Sequence, residues 1–486
     1  MKNMKLKISI VFLSLALSTL SCRKELLSPV PQASISDLVS FATPERTLSA
    51  VNGVYAGAKV GQIYGGRYFN YQDARGEEFN NETANGVTNL QTWNFTVNSS
   101  TNEVQNFWNA AYQAINRANV VIKGVDGSPV SDSLKNQYKA EARFIRALMY
   151  HSLVTIYARP YTDGNGDKPG VVIYTEPQTS IGENKKARSK VSEVYTQILD
   201  DLNFAEANLP RTHGGTALNM TRAHKNTAIA LKTRIYLSMG KYAEVITEAN
   251  KIVPNAAPFV APTGVANKLE ANVANVYGTP GQSSLENIFA FPFSSLDLPG
   301  TQNSLNQYYS PGKSSACSTC SGNGDYSLNT GATGIVSDAN WTASDARRNF
   351  VQVISGKTWL RKWTDNADYV QAIRYAEVML NLAEALARTN GLDARAIALL
   401  NAVRKRSDPA TTLAPASQAE LISMILTERR IELLGEGFRS RDLARMLMTM
   451  PAKGTAPAVS STDNQYIWPI PQSELLVNPV QQNPGY

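Results

Sequence analysis

Apolar residues recur at every third or fourth position over long stretches of this chain, which commits most of it to helices that must find partners. In NEVQNFWNAAYQAINRANVVIKGV, residues 102–125, the set is Val104, Phe107, Trp108, Ala111, Ile115, Ala118 and Ile122, behind a capping candidate at Asn102. SDSLKNQYKAEARFIRALMYHSLVTIYARP follows and stops at Pro160, because proline has no amide hydrogen to continue the ladder. SKVSEVYTQILDDLNFAEANLP then aligns Val191, Val194, Ile198, Leu202, Ala205 and Leu209 on one face before Pro210. Two paired segments share one plan: a long helix ends at Gly240 or Gly391, and a second helix starts within a residue or two. A last pair spans AELISMILTERRIELLGEGFRSRDLARMLM, and the tail closes YIWPIPQSELLVNPVQQNPGY.

Such helix–turn–helix units resemble the tetratricopeptide arrangement, in which small alanines let helices pack closely. The spacing between pairs is too irregular for a clean 34-residue repeat, so helical hairpins are expected rather than a regular array. The reading is of a mainly α fold: a tetratricopeptide-like helical hairpin scaffold carrying an irregular, loop-rich lobe. Residues 253–367 supply that lobe; they are rich in Pro, Gly, Ser, Asn and aromatics, with a short candidate strand at NIFAFPF. A structureless loop of this length would be unusual inside a compact body. Residues 61–102 mix glycine, asparagine and rings, and read as irregular surface structure.

The start of the chain is an export signal in form. Lys2, Lys5 and Lys7 precede the apolar stretch Ile8–Leu20, which is too short for a comfortable membrane crossing and ends at Ser21-Cys22. A cysteine in that place is the acceptor that a bacterial lipoprotein signal supplies, so Cys22 is the expected lipidation site, and outer-membrane attachment through it is expected. The boundaries read as 1–21 signal peptide, 22–46 lipid anchor and tether, 47–252 first scaffold part with aromatic-rich loops, 253–367 loop-rich lobe, and 368–486 second scaffold part with its tail. The formal charge of +7 includes the three leader lysines. Without them about +4 remains over roughly 460 residues, which makes no basic stripe of the kind that nucleic-acid binding needs.

Motifs for chemistry are scarce. His151, His213 and His224 are the only histidines, and no HExxH, GxSxG, phosphate loop or dinucleotide fingerprint occurs, so neither a metal nor a cofactor is expected. Asp73, Glu77 and Glu78 lie beside aromatic residues, as a glycosidase carboxylate pair would; with 40 acidic residues in the chain, such neighbours arise readily by chance. Cys317 and Cys320 form CSTC. It reads first as a small disulfide loop, with free thiols, half a metal site and redox activity as alternatives. Arg374, Glu377, Asn381 and Glu384 make a polar stripe at helical spacing. Glu428, Arg429, Glu432, Glu436, Arg439 and Asp442 alternate in sign among apolar neighbours, and the two sets are read as a structural ion-pair network.

Capture of a sugar or peptide needs flat apolar faces beside hydrogen-bonding groups. The candidate rings are Tyr68, Tyr71 and Trp93 in the early stretch, and Tyr308, Tyr309, Tyr326 and Trp341 in the middle lobe. Trp93, Tyr308 and Trp341 lead this set, and the adjacent pair Tyr308-Tyr309 is singled out because two bulky neighbours in a flexible stretch seldom both find core space.

An ordered series of motifs then resembles one family nearly end to end. It comprises Cys22, AVNGVYAGA at 50–58, FWNAAYQAINRANVVI at 107–122, AEARFIRALMYHSLVTIYARP at 140–160, ALKTRIYLSMGKYAEVITEA at 230–249 and SLENIFAF at 284–291. It continues with IRYAEVMLNLAEAL at 373–386, LLNAVRKRS at 399–407, TERRIELLGEGFRSRDLAR at 427–445 and the ending WPIPQSELLVNPVQQNPGY. Together they resemble the SusD/RagB family of outer-membrane nutrient-uptake lipoproteins of the Bacteroidetes. The resemblance implies four tetratricopeptide-like hairpins, display at the outer face of the outer membrane, and a lid-like seat over a SusC-type TonB-dependent transporter. It implies delivery of glycan or peptide without catalysis, and glycan is the leading reading. A peptide-binding member of the same family is the main rival, and a glycoside hydrolase the remote one. The shared motifs belong to the scaffold, so they carry over fold and partner but not ligand, and CSTC lies outside the family pattern.

Overall fold

The computed structural model describes residues 40–178 and 185–486. The leader, Cys22 and the tether up to residue 39 lie outside the described residues. The longer helices are α1 (Pro44–Ala58), α2 (Arg67–Arg75), α3 (Asn102–Gly124), α4 (Asp132–Tyr157), α5 (Val191–Asn208), α6 (Lys225–Ser238) and α7 (Tyr242–Ala249). After the middle lobe come α8 (Tyr375–Asn390), α9 (Ala394–Ser407), α10 (Gln418–Glu432) and α11 (Arg439–Arg445). Among the described residues no helix is long and apolar enough to cross a membrane.

Apart from α2 and α11, which lean on each other, the helices pack in series: α1 on α3, α3 on α4, α4 on α5, α5 on α6, α6 on α7, α7 on α8, and α8 on both α9 and α10. That succession of side-by-side contacts is the packing of a helical solenoid. The apolar stripes explain it. Val104, Phe107, Trp108, Ala111, Ile115 and Ala118 of α3 are buried, as are all six predicted positions from Val191 to Leu209. Gly240 and Gly391 end α6 and α8 at φ +70° and +78°, the left-handed backbone that glycine adopts without a Cβ clash. α1 starts at Pro44, ahead of residue 47 where the first scaffold part is expected to begin, because Thr43 caps it and the ring of a proline at the first position is already set for helix.

The middle lobe and its surroundings contain short antiparallel pairs. β1 (Phe79–Asn81) pairs with β3 (Tyr326–Leu328), β2 (Asn287–Phe291) with β6 (Val370–Arg374), and β4 (Val351–Ile354) with β5 (Lys357–Leu360). In β1–β3, Phe79 faces Leu328 and Asn81 faces Tyr326, which ties the early aromatic stretch to the middle lobe across the chain. The reading of residues 61–102 as irregular surface is corrected here: α2 lies within it, and each of its residues is buried.

The predicted polar stripes are buried too, and their partners come largely from elsewhere. Arg374 donates to Glu286, Glu432 and Glu436 at 2.6–2.9 Å. Arg406 bridges Glu286 and Glu432, Arg347 bridges Asp345, Glu428 and Glu432, Arg404 holds Glu428, and Lys362 holds Glu436. Burial pushes the Glu432 carboxyl up, but Arg406, Arg374 and Arg347 outweigh it and hold the group well below the ordinary carboxylate range. Glu377 pairs with Arg234, Glu384 with Arg388 and Arg445, Arg429 with Asp442, and Arg439 with Glu77. Asn381 sits between Thr233 and Arg429.

Candidate functional site

The two ring-bearing stretches meet under one open cleft of about 550 Å³, lined by Asn80, Asn81, Glu82, Thr83, Trp93 and Asn94 with Gly454 and Thr455 opposite. Its rim is the run FNNETANGVTN, whose short polar side chains replace backbone partners. Asn81 Oδ1 accepts from the Thr83 amide, Thr83 Oγ1 from the Asn85 amide, and Asn85 Oδ1 from the Val87 amide. These bonds hold a loop open without a core of its own. Trp93 rides on the single turn Leu90–Asn94, which is bracketed by Asn89 at φ +69° and Phe95 at φ +58°. A bulky residue in left-handed backbone is uncommon, and here it turns the chain so that the indole lies at the cleft floor.

The floor is firmly held. Trp93 Nε1 donates to the Phe79 carbonyl at 3.0 Å. The ammonium of Lys453 lies 4.2 Å from the Phe95 ring centroid and 5.8 Å from that of Trp93. A Cβ on Gly454 would come within 2.7 Å of the indole, so glycine permits the close approach there. Burial brings the Lys453 amine down to about 7. On the wall, Glu82 is held by Lys357 and Ser327.

Behind the floor, the carboxyl of Glu103 accepts from the Thr92 amide and hydroxyl. Burial pushes it up to about 7 from the ordinary 4.5, and the Thr92 bonds only partly oppose this. The folded chain therefore holds a proton that the unfolded chain has lost between those two values, and stability drains away as pH rises through that window. Glu103→Gln is insensitive to this. Its stability relative to the parent chain is expected to grow by about 3 kcal/mol between pH 4 and pH 8, then stay flat. Urea unfolding of both proteins at several pH values checks this, and a pH-independent difference would contradict it.

The structure corrects the expectation of exposed rings. Tyr68, Tyr71, Tyr308, Tyr309, Tyr326 and Trp341 are each 3% exposed or less, and Trp93 is 5% exposed. Tyr68 stacks on Phe107 at 5.5 Å, and Tyr71 meets Trp468 edge-on at 5.0 Å. Tyr309 stacks on Phe79 at 4.7 Å and donates to Asp73, while Tyr308 donates to the Gln302 carbonyl. Tyr326 donates to the Thr88 carbonyl, and Trp341 lies under the Arg348 guanidinium at 4.2 Å. The adjacent tyrosines both find core space because the turn Leu305–Tyr309 points them to opposite neighbours, Tyr308 toward Tyr326 and Tyr309 toward Trp363. Of the seven predicted rings, Trp93 is the one that lines this cleft. The polar rim was missed; its signal was the density of Asn and Thr between 80 and 94.

The carboxylates considered for catalysis have structural partners. Asp73 accepts from Tyr309 and the Gly437 amide, and Glu77 and Glu78 pair with Arg439 and Arg430. His151 is buried against Ser238, with burial holding its imidazole well below the usual value. Cys317 and Cys320 are joined as a disulfide, and an Arg361 N–H points at Cys320 Sγ at 3.1 Å. Among the described residues no group of three His, Cys, Asp or Glu side chains is placed to hold a metal ion.

Comparison with known proteins places this geometry. A family described as starch-binding and associating with the outer membrane matches residues 45–237, and the SusD family matches residues 234–486. SusD-like protein P2 of Formosa agariphila is 26% identical over 99% of this chain and 100% of its own. A SusD superfamily protein from Bacteroides fragilis, solved as a crystal structure, is 31% identical, superposes with a TM-score of 0.80, and covers 90% of this chain and 98% of its own. A laminarin-binding SusD-like protein shares the fold at a TM-score of 0.73 and 24% identity, over 92% of this chain and 100% of its own. The chain belongs to the SusD/RagB family, whose members are non-catalytic binding proteins of the outer membrane that work beside SusC-type transporters in polysaccharide uptake.

Proposed function

We propose that this protein captures oligosaccharide at the cell surface in the cleft over Trp93 and passes it to a TonB-dependent transporter of the SusC type, held at the membrane through a lipid on Cys22. The observation that carries the reading is the lining itself: Asn80, Asn81, Thr83 and Asn94 offer donors and acceptors in an open cleft floored by an indole. A polyhydroxylated ring presents a C–H face for the indole and hydroxyls for the amides, and both are served at once. The buried carboxylates are spent on arginines and a tyrosine, which fits capture without bond cleavage.

Calorimetric titration with soluble glycans tests this, with laminarin-type β-1,3-glucan first because a protein of this fold binds laminarin. Asn80→Ala/Asn94→Ala is expected to weaken binding about tenfold or more, since each lost hydrogen bond to ligand costs about 0.5–1.5 kcal/mol. Trp93 is left in place so that the floor stays folded. Binding unchanged in this double variant would remove the cleft from the account, and binding of peptides in place of glycans would replace the ligand class.

A further inference from the structure

A second cleft, of about 450 Å³, opens along α3 and is lined by rings that belong to none of the seven singled out in sequence. Trp108, Tyr112 and Asn116 stand four residues apart and so share one face of the helix. Asn109, Gln113 and Arg117 form the next row and are exposed. Tyr174 closes the far wall. Trp108 and Tyr112 lie 4.7 Å apart at 46°, and Tyr112 meets Tyr174 edge-on at 6.0 Å.

The rings are fixed before any ligand arrives. Trp108 Nε1 donates to Glu474, Tyr112 donates to the Val172 carbonyl, and the Tyr174 hydroxyl accepts from Asn478. Asn116 and the Gln178 backbone exchange two hydrogen bonds, at 2.7 and 3.0 Å. Gln178 Nε2 donates to the Glu176 carbonyl. Within the lining Arg117 offsets Glu474, so no net charge selects for an acidic ligand.

We propose that this cleft is a second carbohydrate site, separate from the one over Trp93, which takes a neutral glycan by ring contact with the half-buried Tyr112 and Tyr174, backed by the buried Trp108, and by hydrogen bonds to the exposed Asn109 and Gln113. Two sites on one rigid body hold a polymer by avidity, because engagement of the second becomes intramolecular. A short oligosaccharide gains nothing from the pair.

Native gels cast with laminarin-type β-1,3-glucan, glycogen or galactomannan provide the test, using the chain as exported and calorimetry on a matching trisaccharide. Asn109→Ala/Gln113→Ala alters exposed side chains and leaves the helix core intact. It is expected to weaken retardation by the polymer about tenfold and trisaccharide binding less than twofold. Combined with Asn80→Ala/Asn94→Ala, it is expected to abolish the residual retardation of that variant. Migration of Asn109→Ala/Gln113→Ala/Tyr174→Ala identical to the parent chain in every retarding gel overturns the second site, while loss of retardation in Asn80→Ala/Asn94→Ala leaves the Trp93 cleft standing. The opposite pattern supports the second site and removes the first. Failure of all three polymers to retard the parent chain overturns both.

Discussion

Replacing Arg374 with methionine is expected to remove about 3–5 kcal/mol of unfolding free energy, a large part of the roughly 5–15 kcal/mol that keeps a domain folded. The size follows from what stays behind. Arg374 is buried and bonds Glu286, Glu432 and Glu436 together with the Glu432 carbonyl. Without it, Glu436 keeps only Lys362 and Tyr277, and Glu286 keeps Arg406 and the Glu270 amide. Carboxylates removed from water with part of their compensation gone must either pay for burial or take up protons. An exposed pair gives the contrast: Lys123–Glu176 is about 70% exposed on both sides, and Lys123→Met is expected to cost less than about 1 kcal/mol. Guanidinium unfolding followed by circular dichroism measures both. A cost for Arg374→Met as small as that for Lys123→Met would show that the network is not what joins α8, α9 and α10.

Trp468→Ala is the second large effect, at about 3–5 kcal/mol by the usual cost of an aromatic-to-alanine change in a core. Its indole meets Tyr71, Tyr157 and Phe107 edge-on at 5.0, 5.8 and 6.4 Å. Its amide donates to the Ile156 carbonyl at 2.8 Å, and Asn483 ties the Trp468 and Tyr157 carbonyls together. Loss of the ring empties the junction of α2, α3, α4 and the tail. Limited proteolysis is expected to cut between residues 464 and 486 in the variant and not in the parent chain. A resistant tail with a cost below about 1 kcal/mol would contradict this.

The scaffold was readable because amphipathic helices write their packing into local spacing. α3 and α5 show a clean stripe, since one side of each is covered and the other wet. α2 left no such mark: covered on every side, its mixture of Arg, Tyr, Asn and Asp has no period to detect. The rings misled for a related reason. Whether Tyr309 is exposed depends on Phe79 and Asp73, more than 200 residues away, and Tyr326 depends on Thr88. Charge alternation in 428–442 signalled ion pairing, yet Glu286, Arg347, Arg404 and Arg406 lie outside both stretches and no local rule points to them. The density of asparagine and threonine along the cleft rim went unread because both residues are common in loops of every purpose.

The tail's seat between Tyr71 and Tyr157 has a consequence for how the polypeptide comes into being. Tyr71 and Tyr157, in the first third of the sequence, share a core with Trp468, so the amino-terminal helices complete this part of their packing only once residues 464–486 are seated. Partners so distant in sequence meet late in folding, because the long loop between them must close before the contact can form.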